Sequence, residues 1–310
     1  MDVLINWLFA QFQSPTYIMD SGYIAVSSRN KTEWLSSAQA DGDMLCPMQL
    51  DQELSALAKE AWRQFAVHAK ESLVVPSMPI LFFGDLCAYQ RSNLKVVSVG
   101  LNPSNVEFSE KDPFKRFPSF ANLADSVDAT DDFLNAYILA LSSYFAVEPY
   151  KAWFGRDVSE GRNAGFEPVL RGLESSYYRG PNVALHTDIC CPLATRKKWS
   201  DVDPSVRDSM CIDGTPLWND LIEYLDPDVM LLAGGAGYRK AIRFATSSDR
   251  ESIMTVGITR PFDFELGKYR MPSEKISSAV FGRSFSTPYG TVSAADKQEL
   301  GRRIKERLRA

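Results

Sequence analysis

Residues 94–104 read Leu-Lys-Val-Val-Ser-Val-Gly-Leu-Asn-Pro-Ser, an apolar run that ends at Gly100 and continues into an Asn-Pro turn. Valine favours extended backbone, whereas glycine and proline end strands. Similar strand-like runs occur at 80–83, 182–189, 228–233 and 276–285. Apolar residues at helical spacing occur at 51–72, 131–145, 216–225 and 293–309. Strands that alternate with helices predict an α/β fold of three layers with a mostly parallel central sheet.

The overall composition is that of a globular protein. Of the 310 residues, 45% are hydrophobic and 24% are charged, which excludes a disordered or fibrous chain. The net charge of −5 excludes a surface that is basic throughout, but it is compatible with a locally basic groove.

Cysteine and histidine usage predicts a reducing compartment. The five cysteines have no regular spacing and no C-x-x-C, and the chain has two histidines. Such a set fits neither a disulfide framework nor a zinc site. No stretch approaches the roughly 20 apolar residues of a membrane span, and the apolar N-terminus lacks the basic region of a signal peptide. We therefore expect a cytoplasmic protein without a membrane segment, a metal or a cofactor.

Polar residues stand at the ends of the first two strands of the predicted sheet. Asn102 follows the strand at 94–99, and the turn around it holds its amide at the strand tip. His186 and Asp188 lie on one side of the next strand and Thr187 on the other, because side chains alternate along a strand. Ligands bind at the carboxyl ends of such strands, so these residues are site candidates. The alternatives are an ordinary Asn-Pro turn and a structural imidazole–carboxylate pair.

The other two strand ends differ in character. Residues 233–237 are rich in glycine, but they lack the full pattern of a nucleotide-binding loop and are expected to permit close strand–helix packing. The loop at 281–290 carries hydroxyls, one guanidinium and aromatic rings, including Arg283, Ser284, Phe285 and Ser286. Such a loop suits phosphate contact with an apolar wedge. A plain surface loop is the alternative.

Together the four strand ends resemble the uracil-DNA glycosylase superfamily over residues 80–310. Gly100–Ser104 looks like its first motif, in the Asn-Pro form of the mismatch-specific and single-strand-selective branches, and 225–234 is similar to its central strand. Residues 190–193 stand where other branches continue after the base-reading strand. Ser284–Ser286 occupies the place of the second catalytic motif, whose histidine is missing here. The order and spacing of these segments carry the resemblance.

The resemblance implies a domain organisation. Residues 76–310 would form the glycosylase-like α/β domain, with an insertion around 125–180, and 1–75 would be a partly helical N-terminal extension. The iron–sulfur branches need an N-terminal cysteine pair that this chain lacks, so no cluster is expected.

The implied activity is that of a monofunctional DNA glycosylase, which flips out a nucleotide and hydrolyses its N-glycosidic bond to leave an abasic site. Asn102 would orient the attacking water. Ser284, Ser286, Thr287 or backbone N–H groups would have to replace the missing histidine. Phe117 or Phe120 would stack on the base, with core packing as the alternative for each.

His186 and Asp188 would read the base, since they fall where the family has an asparagine. A carboxylate accepts a hydrogen bond from an exocyclic amine, as cytosine offers. The expected target is therefore a cytosine-type base. Certain bacterial members of the superfamily act on hypermodified phage DNA as a defence against infection, so the resemblance implies a C5-substituted cytosine such as glucosylated hydroxymethylcytosine, with the insertion lining the pocket. Alternatives are a uracil or mismatch repair glycosylase, a catalytically inactive nucleic-acid-binding member of the fold, and a nucleotide-binding enzyme that uses 233–237.

The DNA contacts are expected from basic residues in the same loops, with Phe285 as the wedge. They are Lys115, Arg116, Arg196, Lys197, Lys198 and Arg283. DNA is the expected partner and a monomer the expected state. Affinity should fall with salt because phosphate contacts release counterions.

Overall fold

The computed structural model describes most of the chain from residue 50 onward. The described ranges are 50–68, 72–108, 111–121, 130–156, 165–234, 236–246, 250–257, 261–283, 287–290 and 292–309. They belong to a compact unit that spans Leu50–Ala310. The helix predicted at 51–72 therefore lies inside this unit, although its sequence position had assigned it to the N-terminal extension. Residues 1–49 of that extension lie outside the described ranges.

Helices make up the larger share of the regular structure. They are α1 Gln52–His68, α2 Leu86–Arg91, α3 Pro118–Ala121, α4 Asp131–Ser142, α5 Tyr144–Val147, α6 Lys151–Phe154, α7 Glu167–Gly172, α8 Pro204–Leu225 and α9 Ala294–Arg309. Within the described ranges three 3₁₀ turns accompany them, at Asn105–Glu107, Trp199–Asp201 and Ala236–Ala241. None of the helices in the described ranges is both long enough and apolar enough to span a bilayer.

The strands of the described ranges form one mixed sheet. They are β1 Val96–Gly100, β2 Leu185–Asp188, β3 Val229–Leu232, β4 Ala245–Thr246, β5 Glu251–Val256, β6 Phe262–Arg270 and β7 Ile276–Phe281. The order is β2-β1-β3-β7-β6-β4, and β5 also pairs with β6.

One half of this sheet is parallel and the other antiparallel. Strands β2, β1, β3 and β7 are parallel to one another, whereas β6 is antiparallel to β7, β5 and β4. The predicted α/β class is confirmed, but the prediction of a mostly parallel sheet holds for one half only. A short turn at 271–275 joins β6 to β7, and such a turn can connect only antiparallel neighbours.

The strand-like run at 80–83 does not form a strand. Phe83 makes a single antiparallel bridge to His186, with its N–H 2.8 Å from the His186 carbonyl and its carbonyl 3.0 Å from the His186 N–H. This bridge fixes the backbone of β2 from its outer side.

Helices cover both faces of the parallel strands. On one face the indole N–H of Trp218 in α8 donates to Thr187 at 3.0 Å. On the other, His186 lies against Phe154 of α6, with ring centroids 4.9 Å apart. The predicted alternation of His186 and Thr187 across the strand is confirmed.

The C-terminal helix begins as predicted and presents a charged surface. Ser293 accepts from the Asp296 N–H at 3.1 Å and donates to its carboxylate at 2.7 Å, which is a helix-capping arrangement. The basic side chains of α9 pair with glutamates: Arg302 and Arg303 with Glu299, Lys305 with Glu174, and Arg307 with Glu251. These cations form a solvated face, as expected.

Candidate active site at the carboxyl edge of the parallel strands

The register of the parallel strands brings their carboxyl ends to one edge. Gly100 is opposite Asp188, Val99 opposite Leu232, and Leu232 opposite Phe281. The segments that leave these strands therefore start side by side. Asn102 and the His186–Asp188 pair share this edge.

The loop after β7 leaves from the same edge. Arg283 is exposed there, and Thr287 closes the far end of the loop by donating to the Gly290 carbonyl at 3.2 Å. Ser284, Phe285 and Ser286, the predicted substitutes for the second motif and the predicted wedge, lie outside the described residues.

Asn102 is held by its amide nitrogen. Nδ2 donates to the carbonyls of Pro103 at 3.0 Å and Leu193 at 3.3 Å, and to Oγ1 of Thr195 at 3.2 Å. Because all of these bonds use the nitrogen, the amide orientation is determined and Oδ1 is the atom that can accept a hydrogen from water. The side chain is partly exposed.

His186 and Asp188 lie directly over Gly100. A Cβ at Gly100 would stand 2.3 Å from Oδ1 of Asp188 and 3.1 Å from Nε2 of His186. Nε2 of His186 lies 3.6 Å from Oδ1 of Asp188, and the two side chains are 2% and 3% exposed, respectively. Glycine is therefore required at the tip of β1, because any side chain there would displace this pair.

Aromatic rings from the predicted insertion enclose His186. Their centroids lie 4.9 Å away for Phe154, 5.9 Å for Phe166 and 6.3 Å for Trp153. Phe83 adds a fourth ring at 5.6 Å. The described part of the insertion thus reaches the base-reading candidates.

A buried carboxylate that sequence analysis missed lies beside them. Glu107, in the 3₁₀ turn after Asn102, accepts from Tyr144 at 2.6 Å and from Arg116 at 2.9 Å. Burial raises the pKa of Glu107, and the Asp188 charge adds to this, while Arg116 and Tyr144 oppose it. No local pattern marks Glu107, because its partners are 9 and 37 residues away in the sequence.

This arrangement changes the assignment of Arg116. Its side chain is 18% exposed and is paired with Glu107, and its guanidinium lies 5.8 Å from the ring centre of Tyr150. A buried carboxylate needs such a partner. The guanidinium that we expected to contact DNA is thus used inside the protein.

The two predicted stacking residues are buried. Phe120 is 1% exposed and packs against Trp62 and Phe133 of α1 and α4. Phe117 is 0% exposed and stacks on Phe108 with ring centres 5.6 Å apart. Core packing, the alternative considered for both rings, describes their surroundings.

The basic triplet after β2 is tied to Asn102. Thr195 accepts from Asn102 and donates to the Lys197 carbonyl at 2.8 Å. Arg196 is fixed by a bond of 2.7 Å from Nε to the Leu73 carbonyl. Arg196, Lys197 and Lys198 are exposed. Lys115 is also exposed, and it pairs with Glu148 at 2.7 Å.

The described ranges also show the state of the cysteines, of possible metal ligands and of the segment after β3. The cysteines of the described ranges are free thiols, and the same ranges contain no group of three or more His, Cys, Asp or Glu side chains that could hold a metal ion. After β3 the described backbone forms a short 3₁₀ turn, Ala236–Ala241, rather than the α-helix of a dinucleotide site.

The chain matches no protein-family model and no curated protein.

Proposed function

We propose that this protein is a monofunctional DNA glycosylase that flips out a base and hydrolyses its N-glycosidic bond, leaving an abasic site. The observation that carries the proposal is the pairing of Gly100 with Asp188, which brings the turn that carries Asn102 to the same edge of the sheet as the His186–Asp188 pair. The reaction needs a water held at C1′ and groups that contact the base. In this proposal the end of β1 supplies the residue that holds the water, and the end of β2 supplies the groups that contact the base.

Asn102 positions the water in this proposal. An amide oxygen is too weakly basic to remove a proton early, so its contribution is orientation of the nucleophile toward a sugar that is already cationic. The three bonds made by Nδ2 support this role, because they aim Oδ1 without using it.

Asp188 favours a cytosine-type base. Its carboxylate can accept from the exocyclic amine, which uracil lacks. The enzyme must spare ordinary cytosine, and we assign the selection of a bulky C5 substituent to the insertion, which packs Phe154 and Phe166 against His186. A C5-modified cytosine of phage DNA, such as the glucosylated hydroxymethyl form, is the proposed substrate.

The exposed triplet Arg196–Lys198 and Arg283 support DNA as the partner. They flank the tips of β2 and β7, so phosphates on both sides of an extruded nucleotide would be within reach. We propose a monomer that acts in the cytoplasm, where its free thiols remain reduced.

The test is base release from defined DNA. Oligonucleotides with cytosine, uracil, hydroxymethylcytosine or glucosylated hydroxymethylcytosine at one position are incubated with the protein, abasic sites are cleaved with alkali, and released bases are identified by mass spectrometry. We expect release of a C5-modified cytosine and none of plain cytosine. Release of uracil alone would replace this substrate with that of a repair enzyme.

A second candidate is a catalytically inactive DNA-binding member of the same fold. The missing second-motif histidine favours it, because Ser284–Phe285–Ser286 stands in its place. DNA binding that weakens with salt, without release of any base from the panel, would establish this candidate.

A further inference from the structure

Three cysteines lie close together where the segment after β2 meets α8. Cys190 and Cys191 follow β2, and Cys211 belongs to the N-terminal half of α8. The first two are buried, whereas Cys211 is partly exposed. The proposed reaction uses none of these thiols.

Close packing of α8 on the backbone after β2 fixes the position of Cys211. A Cβ at Gly214 would stand 2.2 Å from the carbonyl oxygen of Cys190, so helix and backbone are in direct contact there. Thr215 adds a hydrogen bond of 3.1 Å from Oγ1 to the Ile189 carbonyl. Cys211 precedes Gly214 and Thr215 by three and four positions, which places it on the same face of the helix, one turn earlier. The helix therefore presents Cys211 to Cys190.

The thiols of Cys190 and Cys211 are in contact. The Cys190 S–H donates to the Cys211 sulfur, and the Tyr238 hydroxyl donates to the Cys190 sulfur. The bond from Cys190 lowers the pKa of Cys211, helped by the charge of Arg207 and opposed by burial and the charge of Asp208. The same bond, together with burial, raises the pKa of Cys190. Cys211 is therefore the thiol that ionises first and that solvent reaches.

Cys191 differs from Cys190, although the two are neighbours in the chain. It is 1% exposed, and its S–H donates to the Leu193 carbonyl at 3.6 Å. Burial raises the pKa of Cys191. Buried thiols of this kind are chemically inert, so Cys191 is an internal reference for its neighbour.

We propose that Cys211 and Cys190 are a redox-active pair, which a peroxide converts reversibly into a disulfide between α8 and the end of β2. An accessible thiolate beside a resolving cysteine is the usual form of a redox sensor in a reducing compartment. The bond would form next to the Asn102 turn, because the Cys190 N–H donates to the Leu101 carbonyl at 2.9 Å. This inference does not depend on the proposed glycosylase activity.

Atoms and electrons balance in both steps of the oxidation. The Cys211 thiolate attacks one oxygen of hydrogen peroxide; an S–O bond forms, the O–O bond breaks, and hydroxide leaves with the electron pair. The hydroxide takes up the proton that Cys211 had released, and Cys211 is now a sulfenic acid. The Cys190 sulfur then attacks the Cys211 sulfur; the S–S bond forms, the S–O bond breaks, and the departing hydroxide leaves as water with the Cys190 proton. Two thiols lose two electrons, and one peroxide is reduced to two waters.

Peptide mapping of the full chain tests the proposal. The protein is treated with hydrogen peroxide, the remaining thiols are alkylated, and the chain is digested with trypsin without reduction. Trypsin cuts after arginine and lysine, so Cys190 and Cys191 fall on peptide 180–196 and Cys211 on peptide 208–239. We expect the two peptides to be joined, two hydrogens lighter than their sum, with fragmentation that assigns the bond to Cys190. Dithiothreitol should separate them.

Variants of the two neighbouring cysteines give a matched comparison. Cys191→Ser should keep the joined peptides. Cys190→Ser should lose them and accumulate the sulfenic acid of Cys211, which dimedone traps. A link that persists in Cys190→Ser and is lost in Cys191→Ser would overturn the proposal.

The parent protein decides the question even if a variant fails to fold. Folded parent protein whose Cys211 remains a thiol, is oxidised without joining Cys190, or joins Cys191, Cys87 or Cys46 overturns the proposal. In protein unfolded with urea before oxidation, the preference of Cys211 for Cys190 over Cys191 should disappear. An equal preference in folded and unfolded protein would show that the fold does not select this pair.

Discussion

The two halves of the sheet differ in the surroundings of their polar residues. In the parallel half, β1, β2 and β3 are buried along their whole length, and most of their members are apolar. In the antiparallel half, β6 alternates between buried and solvent-facing residues. Polar groups inside the parallel half therefore need internal partners, as Ser98, His186 and Thr187 have. The residues of the candidate site stand at the ends of those strands.

The largest expected effect tests the strand tip itself. Asn102→Ala removes the oxygen that we propose orients the water, and it should lower base release by about 10²- to 10³-fold, with DNA affinity little changed. Arg270→Ala at the end of β6 in the antiparallel half is the control and should retain the parent rate. Equal activity of the parent and Asn102→Ala would remove Asn102 from the mechanism.

The next effect concerns a buried acid on the helical layer over the parallel half. Burial raises the pKa of Glu167 to about 7, against bonds from Ser176 and Tyr177 that lower it. Between pH 4.5 and 7 the folded state therefore holds a proton that the unfolded state has released, so stability falls as pH rises through this window. The contribution is on the order of 3 kcal/mol.

Urea unfolding at several pH values measures this contribution. Relative to the parent, Glu167→Gln should lose the decline between pH 4.5 and 7. Glu251→Gln on β5, an exposed position paired with Arg307, is the control in the antiparallel half. A parent protein and Glu167→Gln with parallel pH profiles would contradict the expectation.

A pair of strand glycines compares the two halves directly. Gly100→Ala places a methyl group 2.3 Å from Oδ1 of Asp188 and should destabilise the fold by about 1–3 kcal/mol, as overpacking does. In Gly267→Ala on β6 the nearest atom is 3.4 Å away, at the end of the Tyr269 ring. That change should be near neutral. Similar unfolding midpoints for the two variants would show that the strand tip is less tightly constrained than its geometry indicates.

The smallest effect is on DNA affinity. Replacing Arg196, Lys197 and Lys198 together by alanine should weaken binding about 10-fold. The slope of log affinity against log salt concentration should fall by the equivalent of up to about three phosphate contacts. Arg302 and Arg303 of α9 already pair with Glu299, so their replacement should leave the affinity unchanged. Fluorescence anisotropy at several salt concentrations compares the two sets. Equal losses would mean that DNA does not approach the carboxyl edge.

Sequence patterns predicted the parallel half well and the antiparallel half poorly. Runs rich in apolar residues that end in Gly located β1, β3 and β7, and the run at 182–189, which ends before Cys-Cys-Pro, located β2. The strand β6 was missed, although Phe262, Phe264 and Leu266 alternate with acidic residues and so have the period of a half-exposed strand. The search for parallel strands favoured continuous apolar runs, and an alternating strand does not form one.

For the candidate site, too, sequence analysis placed some residues correctly at strand ends and misassigned or missed others. Asn102, His186 and Asp188 were found because they follow or end strand-like runs, and Arg283 because it follows another. Arg116 and Phe120 were assigned to the surface of the site from local composition, yet they are used in the interior. Glu107 went unnoticed because contacts between residues far apart in the sequence leave no periodic signal.

By itself the sequence determined several local features of this protein: the approximate positions of β1, β2, β3 and β7, where their polar ends lie, and which face of β2 carries His186. These depend on neighbouring residues and on the fixed repeat of an extended chain. Tertiary structure alone decided that Gly100 stands under the His186–Asp188 pair, that Arg116 neutralises Glu107, and that Ser98 contacts the buried imidazole of His186. Such relations arise from strand order and packing, which bring residues together across nearly 90 positions of chain and which no short stretch encodes.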